Sequence, residues 1–393
     1  MNQRRQETTG AETEQNIKRV PGRVRRAYDY SMLFLTFFLV CFGLIMIYST
    51  SSYNATKYYN DATYFLRKQM IFAVFGLIVM VVVSKVMDYR WLIHPLPVIR
   101  IRPVTLLYLL CLVLQTVVLF LGEDIKGAKR WLEIPGIGTF QPSELTKICI
   151  VVFTAYLAFR APKALNSVWG FVGVLLRVAP LIVLVVVENL STAIILAAIV
   201  GVVCFVTSKK KGYYGVVFLA GCAAIAAVIL LGEGFRGDRI DAWLNVETHP
   251  KGYQTLQGLY AIASGGVLGK GLGNSVQKLG FIPESHNDMI FSVICEELGL
   301  IGAIAIILLF LLLLWRLFVI AVNAPDLYGS LIAVGVMTHI AVQVIINVAV
   351  VTNTMPSTGI PLPFISYGGS SLVALLFEMG IALGVSNQIE YRE

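Results

Sequence analysis

Charge is what this sequence has least of: Asp, Glu, Lys and Arg together make up 14% of its 393 residues, against about 25% in soluble domains. With 57% hydrophobic residues, that scarcity excludes an ordinary soluble fold. The apolar residues come in runs of about 20, enough to cross a hydrocarbon core. The alternating ten-residue segments of a membrane β-barrel are lacking. Paired cysteines are lacking too. Cys41, Cys111, Cys149, Cys204, Cys222 and Cys295 all fall in or beside apolar runs with no C-x-x-C spacing, so neither a disulfide framework nor a zinc site is indicated. His94, His249, His286 and His339 are too scattered for a metal cluster. The net charge of +8 does not point to nucleic acid, because the basic residues stand at the ends of apolar runs, where membrane topology places them.

What is present is an all-α membrane protein. Ten transmembrane helices are predicted at Tyr30–Tyr48, Gln69–Met87, Val104–Leu121, Ser143–Phe159, Phe171–Val187, Leu190–Val206, Tyr213–Leu231, Asp288–Val319, Tyr328–Val351 and Phe364–Gly384. An even number places both termini on one side. Residues 1–28 read as a disordered basic tail without signal-peptide order, so the first helix is the expected insertion signal. The tail, Lys85, Arg90, Arg100, Arg102, Arg160, Lys163, Lys209, Lys210, Lys211 and Arg316 share a side, which the positive-inside rule makes cytoplasmic. The membrane domain then covers 29–388, with a large extracytoplasmic loop at 232–287 between helices 7 and 8, and 389–393 form a short cytoplasmic C-terminus.

Nearly all motif-like sequence falls on the outer face. Phe281-Ile-Pro-Glu-Ser-His-Asn-Asp288 leads into a long apolar helix, and carboxylates at a membrane boundary ask for a chemical role. Ser285 and Asp288 fit a capping pair. Asp288 equally suits a general base beside an anionic substrate, and the two roles are compatible. Glu296 lies about 12 Å deeper along the helix, too far to share that chemistry, so internal contacts are expected for Glu296 and Glu297. In Phe140-Gln-Pro-Ser-Glu-Leu-Thr-Lys147, Glu144 and Lys147 share a helix face. They form either a structural ion pair or, with Lys126, Lys129, Arg130 and Trp131 of Lys-Gly-Ala-Lys-Arg-Trp, a cationic seat for a phosphate headgroup. Ser264-Gly-Gly-Val-Leu-Gly-Lys-Gly-Leu-Gly273 fails the phosphate-loop pattern, because Gly271 follows Lys270. Close backbone packing or a tight turn is expected there, and no nucleotide. Gly359-Ile-Pro-Leu-Pro-Phe-Ile-Ser-Tyr-Gly-Gly-Ser-Ser371 breaks regular helix, which at membrane depth implies either a polar cleft lined by Ser366, Tyr367 and Ser370 or a plain re-entrant turn.

Together these segments resemble the SEDS family of polytopic membrane proteins, whose members include FtsW, RodA and SpoVE, from about Tyr30 onward. Gly273-Asn-Ser-Val-Gln-Lys-Leu279 is more similar to the FtsW and SpoVE branch, which implies septal cell-wall synthesis. The resemblance implies a SEDS-type fold and a peptidoglycan glycosyltransferase that polymerises lipid II, an undecaprenyl diphosphate-linked substrate, at the outer face of the cytoplasmic membrane. Its implied partners are a class B penicillin-binding protein transpeptidase and other divisome proteins. A lipid II flippase and a non-enzymatic scaffold are the competing functions. Asp288 matches the family's essential aspartate and is the expected base. Arg130, Glu144 and Lys147 match residues of the facing cavity, and Lys129, His286, Ser366 and Tyr367 are expected to contact substrate. A divalent cation, Mg or Mn, is implied without any ligand cluster to hold it. Asn287 stands where the family commonly has Thr. Asn189 stands where it has Asp, and no site role is carried to it.

Overall fold

The computed structural model describes residues 24–26, 28–97, 100–125, 128–134, 138–230 and 235–392. In chain order the elements are β1 (Val24–Arg26), α1 (Tyr30–Tyr59), α2 (Tyr64–Val86), α3 (Pro103–Leu121), β2 (Glu123–Ile125), β3 (Ala128–Ile134), β4 (Gly138–Phe140), α4 (Pro142–Arg160), α5 (Val168–Glu188) and α6 (Leu190–Thr207). There follow α7 (Gly212–Leu230), α8 (Phe235–Leu244), α9 (Tyr253–Gly265), α10 (Ile290–Asn323), α11 (Leu327–Val351), α12 (Gly369–Ser386) and β5 (Glu390–Arg392). Among the described residues nine helices are long and apolar enough to cross a membrane, namely all but α7, α8 and α9. The protein is a multi-pass membrane protein. The expected span Tyr213–Leu231 falls on α7, whose later side chains lie outside the described residues.

Local chemistry sets the helix ends. Asp29 accepts the Met32 N–H at the start of α1, and Asp326 accepts the Gly329 N–H at the start of α11. Pro103 and Pro142 open α3 and α4, where a missing N–H costs nothing. The bundle is arranged around α4, whose apolar window is 83% buried against 28% for α2, α3, α5 and α10. It packs against α3, α6 and α11, so it is the central post and the others meet lipid along one side. Strand β1 pairs antiparallel with β5, which brings the segments before α1 and after α12 together. A second small sheet, β2-β3-β4, lies between α3 and α4.

The structure corrects two local expectations. The predicted span Asp288–Val319 is not one helix: α10 begins at Ile290 and its backbone breaks at Gly299, with φ +68°. The capping pair does not form either. Met289 is the N-cap residue with no side-chain bond, and the Ser285 hydroxyl donates instead to the Thr50 carbonyl on α1. A distant helix offered that hydroxyl a buried acceptor, so the local pattern lost to tertiary packing.

Candidate active site

Two irregular segments, 285–289 and 359–368, meet at the end of α11, and buried amides join them. Asn347 donates from Nδ2 to the carbonyls of both Asp288 and Ile360, each at 2.8 Å. Gln343, one turn earlier, donates to the Pro361 carbonyl at 2.9 Å. The Ser366 hydroxyl donates to the Asn287 carbonyl at 2.7 Å, and the Tyr367 N–H to the His286 carbonyl at 2.9 Å. The His286 ring sits 4.5 Å from Phe65 and 5.4 Å from Tyr367, centroid to centroid. Burial pushes the Tyr367 phenol above its ordinary range. His286, Ser366 and Tyr367 therefore hold the segment that carries Asp288, and what these bonds fix is its backbone.

The Asp288 carboxylate accepts from Gln254 Nε2 on α9 at 3.2 Å. Gly359, at φ +68°, leaves room beside it: a Cβ there would stand 4.0 Å from Asp288 Oδ2. Arg239 on α8 lies in the field of both Asp288 and Arg130. Burial lowers its pKa, Arg130 lowers it further, and Asp288 opposes both. Its Nη1 donates to the Ser357 carbonyl at 3.3 Å, and it lines a cavity of about 100 Å³ with Trp243, Lys251 and Asn353. Arg130, on β3, donates from Nε to the Glu188 carbonyl at 2.9 Å. Burial lowers its pKa while Glu188 opposes. A chain of polar contacts continues inward, from Glu188 Oε2 to Gln115 Nε2 at 2.7 Å and from Gln115 Oε1 to the Thr146 hydroxyl at 3.3 Å. The last residue of that chain lies between Glu144 and Lys147, which form a buried ion pair at 2.9 Å. Two partly desolvated cations thus stand in each other's field, one of them also in that of the Asp288 carboxylate, which is an arrangement for holding an anionic group while a proton is removed beside it.

Of the residues expected from sequence, Asp288, His286, Ser366 and Tyr367 come together, and Arg130 joins them through Arg239. Lys129 lies in β3 opposite Asp124, with its side chain outside the described residues. Lys126 lies outside them altogether. Asn189 accepts the Thr192 N–H and caps α6, which explains an amide there without a site role. Arg239, Gln254 and Asn347 were not foreseen. Asn347 had left a signal, an amide at the four-residue spacing of His339 and Gln343 in an otherwise apolar run. A larger cavity, about 590 Å³, lies beside Lys85, Arg90 and Gln388 near the β1–β5 pair and holds none of the expected residues.

Glu296 and Glu297 make internal contacts, as expected. Lys270 Nζ meets Glu296 at 2.7 Å, and Ser275 also donates to it. Lys278 Nζ meets Glu297 at 2.7 Å beside the Ser49 hydroxyl. The glycine-rich segment packs its backbone on the break in α10: the Lys270 and Gly271 N–H groups donate to the Glu296 and Glu297 carbonyls, and Leu300 N–H to Gly266. Close packing accounts for Gly265 and Gly269, where a Cβ would strike the α10 backbone.

Residues 30–391 match the family model described as cell cycle protein, FtsW/RodA/SpoVE. The chain belongs to this family. Among FtsW/RodA/SpoVE relatives, a probable peptidoglycan glycosyltransferase FtsW of Geobacter metallireducens is 37% identical over 369 residues, 92% of this chain and 96% of the relative. Stage V sporulation protein E of Bacillus subtilis is 36% identical, covering 92% and 98%. The crystal structure of the rod shape determining protein RodA of Thermus thermophilus superposes with a TM-score of 0.67 at 27% identity, covering 92% of this chain and 98% of RodA. A structure described as showing coordination of polymerization and crosslinking by a peptidoglycan synthase complex reaches 0.76 at 28% identity, covering 93% and 99%. The fold is therefore the SEDS fold.

Proposed function

We propose that this protein is a peptidoglycan glycosyltransferase that polymerises lipid II, with Asp288 as the general base. The observation that carries the reading is one carboxylate, held through its own backbone by Asn347, in the electrostatic reach of the half-buried Arg239, which lies in turn in the field of Arg130. Glycosyl transfer moves a proton from the acceptor sugar hydroxyl to a base and leaves negative charge on a departing diphosphate. Asp288 takes the first role, and Arg130 and Arg239 the second. Lys147, paired with Glu144 on the central helix, contributes charge at greater depth. The implied Mg or Mn ion finds no protein donor set: among the described residues no three His, Cys, Asp or Glu side chains converge. The proposed chemistry is routed through the cationic side chains.

Topology supports an outer-face reaction. The basic residues cluster with both termini, which β1 and β5 bring together, and the positive-inside rule makes that side cytoplasmic. A crosslinking transpeptidase is the proposed partner, because a structural neighbour of this chain is described in a complex that both polymerises and crosslinks. Septal synthesis rests on the Gly273–Leu279 segment. The deciding experiment is lipid II polymerisation by purified protein. Asp288→Ala should cut turnover by about 10²–10⁴-fold, the span of general acid–base catalysis, with an unchanged melting temperature. Wild-type polymerisation by the folded variant would overturn the assignment.

A further inference from the structure

His339 and Glu378 sit near the middles of α11 and α12, with His339 Nδ1 2.7 Å from Glu378 Oε2 and both side chains buried. The proposed chemistry uses neither. Among the described residues the second atom of each, His339 Nε2 and Glu378 Oε1, has no hydrogen-bond partner, and the same is true of Gln343 Oε1 and Asn347 Oδ1. Gln343 and Asn347 are 0% and 1% exposed, and their NH₂ groups are committed to the Pro361, Asp288 and Ile360 carbonyls. Positions 339, 343 and 347 recur every four residues, so the three side chains follow one face of α11.

The facing helix brings charge to the same depth. The Phe159 ring meets Tyr328 and Gly335 packs on Val151, so α4 and α11 run antiparallel. Four residues outward from that last contact, about 6 Å on each helix, lie Lys147 and His339. The charged groups of the packed helices are Glu144 and Lys147 on α4 and Glu378 on α12, with Arg67, Lys68 and Lys85 near the ends of α2 and, on α10, Glu296, Glu297 and Arg316, each in an ion pair of its own, while α6 brings no charged residue. Polar atoms left unpaired at such depth cost more than immobilising a water does, and buried polar groups are in general paired by protein or ordered water. From His339 to Asn347 is about 12 Å along the helix. No single ion bridges that distance, whereas about four waters at hydrogen-bond spacing do.

We propose that α11 carries a file of ordered water from the Asp288 segment to the His339–Glu378 couple, and that the couple exchanges protons with solvent through it. The inference is independent of the glycosyltransferase reading. The test is hydroxyl-radical labelling of the full chain in lipid nanodiscs, read by mass spectrometry. Met379 and His339 should label about tenfold faster than Met46, which is equally buried but stands on α1, a helix packed on α2 and α10. Gln343→Leu should reduce both to the Met46 rate while leaving His249 unchanged. In the same nanodiscs the His339 ring N–H, assigned by its loss in His339→Asn, should exchange into D₂O in wild type and about tenfold more slowly in Gln343→Leu. If Gln343→Leu fails to fold, Gln343→Met, close in volume, carries the comparison. Wild-type Met379 and His339 labelling no faster than Met46, or exchange that ignores the substitution, would overturn the proposal.

Discussion

Replacing Lys278 by Met tests whether the glycine-rich segment is fastened to α10 by charge. Lys278 is 4% exposed, and its Nζ lies 2.7 Å from Glu297 Oε1 and 2.9 Å from the Ser49 hydroxyl. Glu297 is 0% exposed. Lys278→Met therefore strands a buried carboxylate with Ser49 as its remaining polar contact in this cluster, and breaking one side of such a pair costs about 3–5 kcal/mol. The relief is local: the segment opens, water reaches Glu297, and the Lys270 and Gly271 N–H groups leave the Glu296 and Glu297 carbonyls. At about 1.4 kcal/mol per tenfold, the opening constant should rise by about 10²–10^3.5. Hydrogen–deuterium exchange of peptides spanning 265–281 reads that change directly, and peptides from α11 serve as the control. Adding Glu297→Leu should restore most of the protection, because an apolar pair replaces the ionic one without leaving a charge buried. Acceleration under tenfold, or equal acceleration throughout the protein, would refute the reasoning.

Three further outcomes are expected. Arg239→Ala should lower kcat/KM for lipid II polymerisation by about 10²–10³, the scale of losing one charge-stabilising donor, and Arg239→Lys should recover part of it; an unchanged rate removes Arg239 from the site. Gly299→Ala should depress the melting temperature, since φ is +68° and the new Cβ would fall 2.3 Å from the Gly269 nitrogen, whereas Gly201→Ala on α6 meets nothing within 4 Å and should stabilise by up to about 1 kcal/mol. Burial raises the pKa of Asp326, but the Gly329 N–H, the Tyr89 hydroxyl and Arg90 outweigh it and hold the carboxyl below its ordinary value. A folded pKa below the unfolded one stabilises fully above about pH 3.9 and is lost as pH falls through the folded value. Thermal stability should therefore drop on acidification below that point, and Asp326→Asn should remove this part of the pH dependence.

Hydropathy runs and basic flanks are properties of contiguous sequence, and they carried the membrane class and the placement of nine spans. The motifs of Arg130, Glu144–Lys147, Asp288 and Ser366–Tyr367 were readable one by one for the same reason. What each touches was not. Ser285 fits a cap on its own helix yet bonds Thr50 on α1, because a buried hydroxyl takes whichever acceptor the packing supplies. A continuous apolar pattern hid the break at Gly299, since hydropathy is blind to the φ that the strap at Gly265–Gly271 imposes. Arg239 carried no motif, and only the docking of α8 beside Asp288 gives it a role. The amino-acid sequence by itself determined a many-helix membrane protein, because burial in lipid is a condition each run meets alone. Only tertiary structure decided that Asn347 holds Asp288, that Lys278 neutralises Glu297 and that His339 meets Glu378, because each of those contacts joins helices far apart in sequence and forms only when the bundle closes around α4.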